Sequence, residues 1–395
     1  MSVQPTTHRR EEQLPAEDDA TEVAPGVVRI QLPILLPGLG HVNCYVLEDG
    51  DGVTLVDPGL PGPDSHAELV ARLGRLGVPP ERVHTVLVTH SHPDHFGGAG
   101  RLRAEHDCQV VAHRSFITPF ERGERGPDDD LLVLDEHGSA AEHGSAAQSA
   151  PVPAAGPNLL GEVLFGEGEL PEIPPRITPW GGQGFRPSPE ELTHMRTWDA
   201  LSKQGLLSLT PTRRVDDRDV VRLGRREWQV LHTPGHTGDH ICLFDPEAGT
   251  LLSGDHVLPT ITPHISGLSP GPDALAQFFA NLARVAELEG VTTVLPAHGL
   301  PFSDLAGRVE QIIEHHDQRL GTLRHIAEGL GDAPVEEYSK RLFKERSWGP
   351  MAEAETFAHL EHLRDEGWLR AERRGDGRLH YRPTAEPLTP TPADR

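Results

Sequence analysis

The sequence predicts an α/β fold: a sandwich of two mixed β-sheets with helices on the outer faces. Three observations lead there. Short apolar runs of strand character alternate with helical periodicities and fall into two comparable halves, each a sheet followed by helices. Residues 83–112 read strand, loop, helix, strand, an α/β unit whose polar loop sits at the carboxyl end of its first strand, where open sheets bind ligands. Histidines and aspartates recur beside glycines at the ends of several apolar strands rather than being scattered.

In chain order, residues 1–24 are polar and predict a disordered tail. Runs at 27–32, 43–48 and 53–57 read as a meander of short strands separated by Pro-Gly, Gly-His and Asp-Gly-Asp-Gly turn signals. Asp57 closes the third strand, where it either caps a turn or supports a group above the sheet. Residues 64–76 place Leu69, Val70, Leu73 and Leu76 at helical spacing after an Asp-Ser start. A buried strand at 83–89, a helix at about 97–105 and a strand at 108–112 follow.

From 114 to 214 this pattern breaks down into an acidic Asp128-Asp129-Asp130 run, a small-residue tract and Pro-Pro and Gly-Gly pairs. About a hundred such residues are more than a connector. The stretch reads as an insertion that covers or rims the functional site, with 131–134 and 190–201 as its ordered pieces. Strands then return at 219–223, 228–232, 241–244 and 250–253, the last two joined as a hairpin. A helix at 272–288, a buried strand at 291–295 and a long helix at 304–329 complete this part. Residues 25–305 are therefore assigned to one main domain.

Composition narrows the function. The 395 residues carry 36 basic and 60 acidic side chains, a formal charge of -24 that repels nucleic acids and anionic membrane surfaces. No apolar run approaches the ~18 residues of a membrane span, and no signal peptide is visible. Cys44, Cys108 and Cys242 lie singly in apolar runs without CxxC spacing, so they read as buried thiols. The expected compartment is the cytosol. A homo-oligomer is compatible with the chain but not legible in it.

The chemistry centres on Thr89-His90-Ser91-His92-Pro93-Asp94-His95-Phe96-Gly97-Gly98. Strand side chains repeat every second residue, so His90 and His92 emerge on one side, and a turn through Pro93 presents Asp94 and His95 at a neighbouring position. Two ligand sets from one loop imply two metal ions. His236, Asp255 and His298 each follow an apolar strand beside a glycine that lets the backbone approach closely. One ion takes His90, His92 and His236, the other Asp94, His95 and His298, with Asp255 between them. Imidazole and carboxylate without thiolate favour two zinc ions, with manganese and iron as competitors. Any one of these histidines alone would more often be an ordinary surface residue.

These residues resemble the metallo-β-lactamase superfamily, whose signature is the Thr-His-x-His-x-Asp-His loop followed by a later His, Asp and His. The resemblance spans about residues 27–304 outside the insertion. It implies an αββα sandwich with a dinuclear zinc site at its edge, and it places Asp57 at the family's strand-end aspartate. One departure is His232-Thr233-Pro234-Gly235-His236-Thr237-Gly238-Asp239-His240, where a glycine has moved forward and the role of His240 is open. The expected mechanism is attack by a metal-bridging hydroxide, since metal-bound water ionises near ~7. Asp94 fixes its ion and accepts a hydrogen bond from the nucleophile. His264, in the loop after Asp255, either binds substrate or shuttles a proton, or is chemically idle.

Residues 306–384 form a C-terminal helical, winged-helix-like domain: helices at 333–343 and 351–366, and strands at 368–371 and 378–382 across Gly375-Asp376-Gly377. Residues 385–395 read as a disordered tail. The pattern resembles the small domain carried by one subgroup of metallo-β-lactamase-fold hydrolases, with thioesterase-type and endoribonuclease-type members. The presumed recognition helix holds Glu353, Glu355, Glu361, Asp365 and Glu366 against Arg364, a face that repels phosphates. The wing carries Arg370, Arg373, Arg374, Arg378 and Arg382. The leading expectation is a dinuclear zinc hydrolase of a small ester or thioester. The alternatives are a metal-dependent endoribonuclease and a winged-helix nucleic-acid binder with a vestigial metal site.

Overall fold

A computed structural model of the chain describes residues 10–36, 38–118, 178–181, 208–268 and 273–384. Strands β1 (Thr21–Ala24), β2 (Val27–Leu36), β3 (Leu39–Glu48) and β4 (Val53–Val56) form the antiparallel part of the first sheet. Helix α1 (Pro63–Arg75) starts with proline at its first turn, where no N–H is needed, and buries Leu69 and Leu73 against that sheet. Then come β5 (Val83–Leu87), the single turn α2 (Pro93–Phe96), α3 (Ala99–His106), β6 (Gln109–His113) and β7 (Arg213–Val215). The seven strands run in sequence order, with β4 to β7 parallel.

Strands β8 (Val220–Leu223), β9 (Arg226–His232), β10 (Ile241–Asp245) and β11 (Thr250–Gly254) are antiparallel neighbours in the second sheet. Helix α4 (Ala274–Ala286) is capped by Asp273, whose side chain accepts from Leu275 N and Ala276 N. Beyond it β12 (Thr293–Pro296) pairs parallel to β11. The alternation along each strand fixes the layering. Tyr45 and Leu47 share a buried cluster with Trp228, Leu243 and Leu252 between the sheets, whereas Cys44 and Val46 join the α1 side, and Cys242, Phe244 and Leu251 the α4 side. The α/β architecture expected from the sequence, two mixed sheets with helices outside, is thus the one observed.

Helix α5 (Leu305–Leu330) leads into β13 (Ala333–Pro334), α6 (Val335–Leu342), α7 (Pro350–Asp365), β14 (Leu369–Arg373) and β15 (Leu379–Pro383). The three strands form a small antiparallel sheet in the order β13-β15-β14. One continuous apolar cluster takes in Leu275 and Phe278 of α4, Ile312 and Leu323 of α5, and Tyr338, Leu360 and Tyr381 beyond. The C-terminal unit therefore packs onto the outer helix layer without a gap between two cores.

Three expectations need correction. Residues 10–24 are not disordered: a 3-10 turn at Glu11–Gln13 buries Glu12 completely, and β1 pairs with β2. The end of the supposed insertion returns to the sheet as β7 beside β6, and 178–181 docks on the C-terminal sheet through Leu379 N–H to Trp180 O at 2.7 Å. The expected ordered pieces 131–134 and 190–201, and the tail 385–395, lie outside the described residues. The helix at 351–366 is present but does not present a free face. Ala352, Ala354, Phe357, Ala358, Leu360 and Leu363 of α7 are all buried. Among the described residues no helix is long and apolar enough to cross a membrane.

Candidate metal centre

Every candidate ligand sits just past a strand, on one edge of the sandwich. His90 to His95 follow β5, His236 lies in the turn from β9 to β10, Asp255 follows β11 and His298 follows β12. Two glycines make this placement sterically feasible. Gly254 has a φ of +51°, and a Cβ there would come within 2.6 Å of His240 Nε2; Gly235, at φ +145°, would meet Phe278 at 2.6 Å. The sheets are also tied together beneath the site. Asn43 Nδ2 donates to the carbonyls of Pro296 and Gly299 at 2.8 Å each, and Tyr45 Oη donates to Pro296 O at 2.6 Å.

The seven predicted ligands converge as two groups. His92 Nδ1 lies 3.1 Å from His90 Nε2 and 3.0 Å from His236 Nε2, and Asp255 Oδ2 stands 3.4 Å from the latter. On the other side, Asp94 Oδ2 is 3.5 Å from both His95 Nε2 and His298 Nε2, while Asp255 Oδ1 is 3.4 Å from His298 Nε2. Four atoms held tetrahedrally at roughly 2.05 Å from one zinc ion are about 3.3 Å apart, so the spacing fits the group. Asp255 reaches both sets, as its bridging assignment requires.

Hydrogen bonds behind the imidazoles aim their lone pairs inward. His95 Nδ1 donates to Asp57 Oδ2 at 2.9 Å, His236 Nδ1 to the His264 carbonyl at 2.7 Å, and His298 Nδ1 to the His41 carbonyl at 2.7 Å. Thr89 Oγ1 gives its proton to Asp57 Oδ2 at 2.7 Å and so receives one from His90 Nδ1 at 3.0 Å. In all four rings Nε2 is left as an acceptor. His95 Nε2, His298 Nε2 and Asp255 Oδ1 are buried without a hydrogen-bond partner among the described residues. Buried polar atoms crowded together without partners leave a site suited to a cation.

Electrostatics agrees. Burial drives His90 and His92 well below the usual imidazole range, with neighbouring imidazoles adding to it, so both rings are neutral, as metal binding would require. At the other end burial opposes protonation, yet Asp94, Asp255 and Asp57 push His95 up to about 10, and Asp255 and Asp94 raise His298. That half of the cluster attracts positive charge.

Asp57 acts as the support for His95 and Thr89, and its own φ of +55° is a strained conformation for a non-glycine residue. His240, whose role the sequence left open, is buried: it pairs with Thr233 Oγ1 at 2.8 Å and accepts from Asp255 N at 3.0 Å. It holds the backbone of Asp255. His264 is near the cluster, with its ring partly exposed and its carbonyl on His236.

Sequence reasoning did not find His41, Glu12 or Glu355. His41 bridges Leu14 O at 2.8 Å and Gly299 N at 3.1 Å. Glu12 accepts from Thr260 N at 2.8 Å, Ile261 N at 3.0 Å and Thr260 Oγ1, tying the N-terminal segment to the loop after Asp255. His41 and Glu12 act through contacts up to hundreds of positions away or on backbone atoms, and Glu355 through side chains 36 and 91 positions away, none of which leaves a local pattern; the Gly-His turn at His41 was the nearest signal.

Known proteins give the same picture. The model of the metallo-beta-lactamase superfamily matches residues 37–298. The chain is 23% identical over 357 residues to the "Probable metallo-hydrolase YqjP" of Bacillus subtilis, covering 86% of this chain and 92% of that protein. It is 30% identical over 145 residues to an atrochrysone carboxyl ACP thioesterase of Cryptosporiopsis sp., covering 33% of this chain and 42% of the thioesterase. A crystal structure of a metallo-beta-lactamase family protein from Thermus thermophilus superimposes with a TM-score of 0.67 at 25% identity, covering 92% of this chain and all of the other. With strand-end ligands, lone pairs and sheet order in agreement, the chain belongs to the metallo-beta-lactamase superfamily and is a hydrolase of that fold.

Proposed function

We propose that the chain is a dinuclear metal hydrolase acting on a small ester or thioester, with His90, His92 and His236 at one ion, Asp94, His95 and His298 at the other, and Asp255 between them. The observation that carries this reading is the set of four imidazoles whose Nδ1 protons are committed outward, leaving Nε2 lone pairs to converge. An all-N/O donor set favours zinc over softer-ligand metals. When bound, the ions supply an activated water as nucleophile and polarise the acyl oxygen.

The side chains carry the remaining steps. Asp94 turns Oδ2 to His95 and His298, and its other oxygen accepts a hydrogen bond from the attacking water. His264, at the rim, takes up on Nε2 the proton that the water loses and hands it to the departing thiolate or alkoxide as the acyl–sulfur or acyl–oxygen bond breaks. Three buried, unpaired cysteines agree with a cytosolic setting.

An ester or thioester is preferred over RNA for three reasons. A carrier-protein thioesterase is among the partial relatives. The net charge is -24. The C-terminal unit, winged-helix-like in element order, buries most of the helix that would have to enter a groove, and of its five wing arginines Arg374 is engaged with Asp332 and Glu372, and Arg373 with the carbonyls of Gly377 and Pro179.

The test offers zinc-loaded protein acyl-CoA and N-acetylcysteamine thioesters, lactones, β-lactams and single-stranded RNA, with and without chelator. Chelator-sensitive thioester or ester turnover supports the reading. RNA cleavage abolished by His92→Ala, with no acyl substrate turned over, overturns it in favour of the endoribonuclease.

A further inference from the structure

We propose that Glu355, carried by α7 of the C-terminal unit, is a positioning residue that fixes the ring of His264 at the rim of the metal-ligand cluster, so that the C-terminal unit completes the active site. The kinetic part of this inference rests on the hydrolase reading above.

The backbone and the ring of His264 are held by different partners. Its carbonyl accepts from His236 Nδ1 at 2.7 Å, which locates the main chain but leaves the ring free to turn. The ring is taken up by the other side: its Nδ1 lies 3.3 Å from Glu355 Oε2. A proton on Nδ1 directed at a carboxylate makes Nε2 the lone-pair nitrogen. Among the described residues no protein group hydrogen-bonds that Nε2, and the ring is 24% exposed, so it is available to a substrate.

Glu355 is itself gripped. Arg319 of α5 donates to its other oxygen, Oε1. One turn further along α7, His359 donates Nδ1 to the Glu355 carbonyl at 2.7 Å and meets His316 of α5 through Nε2 at 3.0 Å. An ion pair and a buried imidazole pair thus pin this turn of α7 to α5, and the carboxylate cannot swing away. Burial alone would raise the Glu355 carboxyl; the His264 hydrogen bond and the Arg319 charge outweigh it and bring it down to about 2, so it is ionised at neutral pH. A simple α5–α7 ion pair needs only Oε1. The second oxygen, facing the partly exposed ring of His264, is the feature such a pair leaves unexplained.

The experiment compares wild type, Glu355→Gln, His264→Ala and the double variant, all zinc-loaded. Glu355→Gln keeps shape and a hydrogen-bonding oxygen, which protects the fold around Arg319. Expected are a kcat lower by about 10- to 100-fold, a KM little changed, and full metal content; in the His264→Ala background Glu355→Gln should add nothing further. Independently of any substrate, ¹⁵N-histidine NMR should place the His264 proton on Nδ1 in the wild type and redistribute it in Glu355→Gln. Additive kcat losses, metal loss in Glu355→Gln, or a wild-type His264 protonated on Nε2 would each overturn the inference. If no substrate is turned over the hydrolase reading fails, and the NMR result alone still decides the role of Glu355.

Discussion

The main-chain oxygen of His41 receives the Nδ1 proton of His298 at 2.7 Å, and the side chain of the same residue joins Leu14 to Gly299. A single position thus orients one candidate ligand through its backbone and closes the N-terminal segment onto the site through its ring. Burial lowers the His41 pKa, which keeps the ring neutral, as one donor and one acceptor nitrogen require. His41→Ala leaves the carbonyl in place and removes the ring. The expected result is a selective weakening of metal binding on the Asp94, His95 and His298 side by about tenfold, with a lower melting temperature. Competition against a graded chelator series reads the first effect, and calorimetry the second.

Asp57 offers a sharper test of support from behind. Its carboxylate accepts from Thr89 N at 2.9 Å, Thr89 Oγ1 at 2.7 Å and His95 Nδ1 at 2.9 Å. Asparagine tolerates the left-handed backbone that residue 57 adopts, so Asp57→Asn isolates the loss of charge and of one acceptor from backbone strain. We expect about 2–4 kcal/mol of lost stability and a reduced zinc stoichiometry after dialysis. Unchanged zinc content would show that the aspartate serves the turn alone.

Removing metal should destabilise as well as inactivate. An ion held at 100 times its dissociation constant contributes about 2.7 kcal/mol, which corresponds to roughly 3–5 °C in melting temperature for a molecule of this size. Stripped protein should melt lower by about that much and regain both stability and turnover on adding zinc. Equal melting curves with and without metal would argue against the site.

A pH effect is expected far from the ligands. His362 Nδ1 lies 2.5 Å from Asp273 Oδ2, the carboxylate that also caps α4. Burial opposes charge on His362, but Asp273 raises its pKa overall; Asp273 is lowered against its own burial, chiefly by His362. A raised histidine contributes stability fully present below its unfolded value of ~6.5 and lost as pH rises through the folded one. A lowered aspartate contributes above its unfolded value of ~3.9, and that is lost as pH falls through its folded one. The pair is therefore most stabilising between about 4 and 6.5. The melting-temperature gap between wild type and His362→Gln should be widest near about pH 5.5 and shrink toward alkaline pH. A gap that widens with pH would contradict this pairing.

What could be read in advance follows from how each residue works. His90, His92, Asp94, His95, His236, Asp255 and His298 announce themselves as candidate ligands because metal coordination would demand particular side chains, and strand ends are where apolar runs stop. The layers were legible because sheet faces alternate, as Cys44 against Tyr45 illustrates. Glu12 was not, because a carboxylate in a polar tail looks solvated until Thr260 and Ile261, 248 and 249 positions away, are seen to donate to it. Helix α7 misled for a related reason. Its charges suggested a free surface, whereas small residues such as Ala352, Ala354 and Ala358 allow close packing on several sides. Glu355, counted as one more repelling acid, is instead turned inward to Arg319 and His264.

Helix α5 spans 26 residues, about 39 Å at roughly 1.5 Å per residue, and it never leaves the same apolar mass: Val309 and Ile312 lie near its start, Leu323 and Ala327 near its end. It works as a spar shared by both parts of the molecule, so there is no seam along which to saw. Shortening the gene at this helix would leave an oily stump prone to clump, not a smaller enzyme, and single-residue exchanges are the appropriate tool for separating the roles of the two parts.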